Sequence, residues 1–219
     1  MENDDTWRYI DEQRAGLADL FDDLDEAEWA TPSLCDGWRV REVAAHLTLS
    51  HMGAGPAVWA MLRARGSFNR MIRDTAVRQA ELPSAQYAPL LRAMVGSRRT
   101  APGVAPTEPL IDVLVHGQDI ARPLGRERTM PVPAAEAAAT RVWEMGFPFR
   151  ARRRLEGRRL LATDCDFSVG SGEPVTGPVA ELLMLLTGRP PALGVLSGAG
   201  TERLTATRPR PGWPTSRGG

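Results

Sequence analysis

The chain has 219 residues, 42% of them hydrophobic and 25% charged, an ordinary globular composition with room for one large core or a main domain carrying a smaller one. Its 27 basic and 27 acidic residues cancel, and every basic residue is Arg, so no general attraction to nucleic acid or anionic lipid is expected. No apolar run reaches the roughly 18 residues of a membrane span, the MENDDTWRY start is unlike a secretory signal, and two cysteines make no disulfide framework. A soluble cytoplasmic protein is the expectation, with Cys35 and Cys165 as ordinary reduced thiols.

Trp7, Ile10, Leu17, Leu20, Phe21 and Leu24 recur at helical spacing between acidic residues, which predicts an amphipathic helix over 4–28. A turn-rich linker follows from Trp29 to Trp38, and the apolar stripe resumes at Val40, Val43, Ala44 and Leu47. This second helix is expected between Val40 and Met52, with a kink or break at Gly53, Gly55 and Pro56. Arg39 stands where a Ser, Thr or Asp would cap it, with Glu42 as the carboxylate half of a capping box. Residues 69–80 and 85–98 also have helical patterns. Thr107 is placed to cap a helix running through Leu110, Ile111, Leu114, Val115 and Ile120 to Gly125, and a further helix opens at Pro133 and stops at Gly146. Long helices with short connections favour a bundle of at least four.

The pattern changes near residue 150. Short strands are expected over 158–164 and 166–170, a helix over 177–186, and a strand over 204–207. The expected organisation is an antiparallel four-helix bundle over 4–148, a small α+β module over 149–207 and a mobile tail over 208–219. Arg150, Arg152, Arg153, Arg154, Arg158 and Arg159 form a basic run, read as solvated surface with anion binding as the alternative.

The chain has three His residues. Asp112 and His116 are four apart on one helix and share a face, while His46 lies beside the apolar stripe of another. If the two helices face each other, these residues offer two imidazoles and a carboxylate, a donor set suited to Zn²⁺ and other divalent ions with a position left open. The same spacing fits a buried hydrogen-bonded His and carboxylate, or a metal-free acid/base pair. His51 is rotated away from His46 on a straight helix. Asp119 returns to the face of Asp112, where it could orient His116 or pair with an Arg. The GlySerGly at 170–172 lacks the surroundings of a phosphate loop. Trp38, Trp59 and Trp143 read as core or pocket walls.

Read together, CDGWRVREVAAHL and IDVLVHGQDIARPLG resemble the mycothiol-dependent maleylpyruvate isomerase-like proteins of actinobacteria, in the DinB-like superfamily of helical bundles. The resemblance implies that Trp38 precedes the helix carrying His46, and that His46, Asp112 and His116 hold a divalent metal, commonly Zn²⁺. It also implies that the metal activates the thiol of a small cofactor such as mycothiol, so no side chain of the protein is assigned as the nucleophile. The resembling isomerases usually have Glu at the position of Asp112, and Ser or Thr at that of Arg39. VGSGEPVTGPVAELLMLLTGRPPAL is similar to the C-terminal module that many of these proteins carry. The function implied is a thiol-cofactor transferase or isomerase acting on a small electrophile, as monomer or homodimer. Arg122, Arg126 or the Arg150–Arg154 run would receive a carboxylate. A metal-dependent hydrolase and a non-catalytic binding protein are the alternatives.

Overall fold

Trp7, Ile10, Leu17 and Phe21 repeat along one face of the first segment, and in the computed structural model all four are buried on helix α1 (Asn3–Asp22). The structure describes residues 1–49, 68–100, 105–189 and 194–201. Residues Glu2–Arg128 form one compact unit, and the described residues from Thr129 onward build a second.

The helix expected over 4–28 is two helices. Asp25 accepts a bond from the Glu28 backbone N–H (2.8 Å), and the Glu28 carboxylate accepts one from the Asp25 N–H (3.1 Å). This reciprocal cap starts the one-turn α2 (Glu26–Trp29) and ends the propagation of α1. Trp29, 2% exposed, then packs between Phe21 and Tyr87, with ring centroids 5.4 Å apart on each side.

Helix α3 (Val40–Leu47) buries Val40, Val43, Ala44, Ala45 and Leu47. It packs on α4 (Phe68–Gln79) and α6 (Thr107–Ala121), while α1 packs on α6 and on the short α5 (Tyr87–Arg92). Four long segments thus make the mainly helical bundle expected. The helix over 85–98 is shorter than its pattern, a 3-10 turn at Ser84–Gln86 followed by α5. Thr107 is the first residue of α6 and does not cap it, because Pro106 holds the cap position. A 3-10 turn at Arg122–Leu124 and Gly125, with its left-handed φ of 65°, close that segment. The expectations for His51, the kink at Gly53, Gly55 and Pro56, Trp59, the strand over 204–207 and the tail from 208 fall outside the described residues.

Glu42 supplies the half of the α3 cap that the sequence offered. Its carboxylate accepts from the Arg39 backbone N–H (2.7 Å) and pairs with the Arg39 guanidinium. Burial alone would raise the Glu42 pKa, but the Arg39 side-chain and backbone bonds outweigh it and hold it below the usual glutamate value. Because the folded-state pKa is depressed, the stabilisation is fully present above the ordinary value of 4.5 and is lost as pH falls through the lower folded value. Glu42→Gln is therefore expected to cost about 1 kcal/mol at pH 7. Urea denaturation at pH 7 and below pH 4 checks this: the gap between wild type and variant should shrink in acid.

In the second unit, α7 (Val132–Glu144) packs on α9 (Val179–Leu186), and the one-turn α8 (Ala151–Arg154) follows α7. The sequence pattern put the boundary at 148/149, whereas the two units divide at 128/129, so α7 belongs with the second. Its small buried face, Ala134, Ala135, Ala138, Ala139 and Val142, lets α9 approach closely.

Strand β1 (Arg158–Ala162) is central, antiparallel to β2 (Ser168–Gly170) and parallel to β3 (Glu173–Gly177). Leu160 on β1 and Val175 on β3 are paired and fully buried. β3 is absent from the sequence expectations; Pro174 hides it, tolerated because this strand lies at the edge of the three-stranded order. The GlySerGly between β2 and β3 makes the sharp crossing of the sheet: a Cβ on Gly172, at φ +114°, would lie 2.2 Å from the Gly157 carbonyl oxygen.

Candidate metal centre

The turn between α2 and α3 is held by its own bonds. Val40 N–H donates to Thr31 O (2.9 Å), Ser33 N–H to Trp38 O (2.9 Å) and Trp38 N–H to Cys35 O (3.0 Å). Gly37 takes the positive φ (75°) that a type II turn requires at its third residue. Leu34 N–H donates to Asp119 O (3.2 Å), docking the turn on the C-terminal half of α6.

His46 comes from the last turn of α3, and Asp112 and His116 from successive turns of α6. The structure brings all three together, with one ligand atom from each lying within 4.8 Å of the others. His46 Nε2 is 3.5 Å from Asp112 Oδ2, and His116 Nε2 is 3.6 Å from Asp112 Oδ1. The imidazoles meet edge to face, with centroids 5.0 Å apart and planes at 81°. The shorter Asp side chain therefore reaches toward both imidazoles.

These separations bear on two of the arrangements that the sequence allows. A good N–H···O bond spans up to about 3.2 Å, and both contacts are longer. Ligands about 2.0–2.1 Å from a tetrahedral ion stand roughly 3.3 Å from one another, close to what is found. Two imidazoles and a carboxylate gathered within 4.8 Å could hold a divalent cation.

Asp119 completes the arrangement. It is fully buried, and its Oδ2 accepts from His116 Nδ1 at 2.8 Å. An ionised Asp119 would only accept, which would place the proton on Nδ1 and turn the Nε2 lone pair toward Asp112 and His46. Of the two roles weighed for Asp119, orienting His116 is the one this geometry displays. Cys35 Sγ also donates to Asp119 Oδ2, at 3.0 Å, and lies 3.6 Å from His116 Nδ1. Sequence reading missed this thiol because it joins α6 only through the docked turn.

Trp38 is 7% exposed and lies against His46, with centroids 5.6 Å apart, which makes it a wall of the site. The His46 and His116 side chains are 16% and 14% exposed, but Asp112 is 39% exposed, so the cluster opens on its carboxylate side.

Arg14 is buried in the same unit, and Arg128 is partly buried there. Arg14 donates to Met94 O (2.9 Å); burial lowers its pKa, while the charges of Asp11 and Asp112 oppose that shift. Arg128 enters a slot left by Gly16 and Gly117, where a Cβ on Gly117 would come within 2.7 Å of Arg128 Nε. It donates to Gln13 O (2.6 Å) and Gln13 Oε1 (2.7 Å), and burial lowers its pKa to about 10.

Four of the arginines expected to receive a carboxylate have other partners. Arg122 donates to Gln118 and Arg126 to Glu28. Arg154 donates to Leu185 O (2.7 Å), satisfying the end of α9, and Arg152 donates to Trp143 O (2.8 Å).

The described residues form a helical bundle unit and an α+β unit, and two histidines and a carboxylate converge between α3 and α6 of the bundle. Residues 10–81, about a third of the chain, match the family model of the mycothiol maleylpyruvate isomerase N-terminal domain, the family that its motifs resemble. The matched stretch includes Cys35, Trp38 and His46 and ends before Asp112. The fold is similar to the crystal structure of the mycothiol-dependent maleylpyruvate isomerase, with TM-score 0.65, 15% identity and 96% of each chain covered. A histidine-to-alanine mutant of that enzyme matches with the same figures. No curated protein matches the chain by sequence. Among the described residues, no helix is long and apolar enough to cross a membrane.

Proposed function

We propose that the protein is a divalent-metal-dependent isomerase or transferase that uses a small thiol cofactor of the mycothiol type on a small electrophilic substrate. The observation that carries this reading is the convergence of His46, Asp112 and His116, with His116 Nε2 turned inward by Asp119. A divalent cation such as Zn²⁺, held by these three side chains, supplies the positive charge that lowers the pKa of a nearby thiol.

The chain's own residues have distinct tasks in this scheme. Asp119 keeps the proton on His116 Nδ1, Trp38 shields His46, and the exposed flank at Asp112 leaves room for thiol and electrophile. Neither cysteine is arranged as an activated nucleophile: Cys35 donates its S–H to Asp119, and burial pushes the Cys165 thiol up. That distribution fits a nucleophile supplied by the cofactor.

The test uses protein purified without a chelating column, loaded with Zn²⁺ and assayed on maleylpyruvate with and without mycothiol. Turnover that requires both metal and thiol is expected. Thiol-independent turnover would point to a hydrolase instead, and wild-type protein that cannot be loaded with any divalent metal would overturn the reading.

A further inference from the structure

We propose that Cys35 is a positioning residue for the cation site, acting through Asp119 on His116; this rests on the metal-dependent reading above. Asp119 Oδ2 is the acceptor for two donors, His116 Nδ1–H at 2.8 Å and Cys35 S–H at 3.0 Å. The carboxylate is fully buried, so solvent does not supply a substitute donor. One oxygen shared by two donors that stand 3.6 Å apart has its orientation set by both, and the direction of Nε2 follows from it.

The thiol arrives preorganised. Cys35 N–H donates to Ser33 Oγ (3.1 Å), Cys35 O accepts from Trp38 N–H (3.0 Å), and Ser33 Oγ donates to Trp38 O (2.8 Å). The bond from Leu34 N–H to Asp119 O then fixes the Cys35 backbone relative to the backbone of the residue whose side chain it holds. A side chain that merely filled space would not need an S–H aimed at the oxygen that orients a ligand. Removing that donor takes away one of the bonds that orient the carboxylate, and through it the His116 ring.

The experiment compares full-length wild type, Cys35→Ala and Cys35→Ser by two readouts. Zn²⁺ affinity is measured with the metal alone, in competition with a chelator. The His116 Nδ1–H resonance is followed in metal-free protein labelled with ¹⁵N at histidine. Because Cys35 acts one bond further out than Asp119, Cys35→Ala is expected to weaken Zn²⁺ binding about 3–10-fold, less than the 10–100-fold typical of a direct partner of a ligand. Its Nδ1–H resonance should shift and broaden through faster exchange. Cys35→Ser, which keeps a donor, should stay within about twofold of wild type and retain the resonance.

Unchanged affinity and resonance in Cys35→Ala would overturn the proposal. So would equal loss of affinity in both variants with the resonance intact, which marks a packing role. If wild type takes up no Zn²⁺ while the resonance still responds to Cys35→Ala and is restored by Ser, the positioning role stands and the metal reading falls. A wild type without Zn²⁺ and a resonance insensitive to Cys35→Ala would overturn both.

Discussion

His116→Ala is expected to weaken divalent-cation binding by more than about 100-fold, beyond the loss typical of removing an outer partner of a ligand. The substitution deletes one of three donors that converge within 4.8 Å, leaving an imidazole and a carboxylate on opposite helices. It also leaves the buried Asp119 carboxylate without the ring that accompanies Cys35 as its donor. Titration with Zn²⁺ and metal analysis after dialysis measure the effect. Retained stoichiometric metal would show that the ion sits elsewhere. His46→Ala should have a comparable effect, because its Nε2 is the donor on the opposite side of Asp112.

Asp119→Asn should follow, with a 10–100-fold loss of affinity and the three donors themselves left in place. The amide keeps the shape of the carboxylate but not its charge, and in this fully buried position water does not make up the difference. The ring loses the ionic acceptor that fixed its proton on Nδ1, so a fraction of molecules would hold the other tautomer and present N–H to the incoming cation. The loss should therefore appear as weaker binding in titration while the far-ultraviolet circular dichroism stays unchanged. Affinity equal to wild type would assign Asp119 to packing alone.

Much of this site was legible in the residues because helical periodicity is local. The four-residue spacing of Asp112 and His116, and the apolar stripe beside His46, predict two faces that can meet, and α3 packs on α6 with all three side chains together. The separations of Asp112 from the two imidazoles, 3.5 and 3.6 Å, depend on how closely two helices approach, which no periodicity encodes. Asp119 was readable as an outer partner from its return to the same helical face. Cys35 was not: it is 84 residues away along the chain, and its role depends on a turn docking by one backbone bond.

The fold shows the same division between local and distant information. The pattern found the helix from Val132, but a small alanine face does not name its partner, so α7 was assigned to the bundle and belongs to the second unit. The break after Asp22 was overlooked although its signal, Asp25 followed three residues later by Glu28, is written in the chain. β3 escaped because a five-residue edge strand with Pro at its second position and Gly at its last carries almost none of the usual strand signal.

The turn from Thr31 to Arg39 has a bearing on how this site can vary. It touches one histidine through Trp38 and the other through Cys35 and Asp119, so a single stretch of nine residues acts as a jig for ligands carried on two different helices. Lengthening or shortening the turn by one residue would displace both at once, so loop length is a parameter to which the proposed cation site is sensitive.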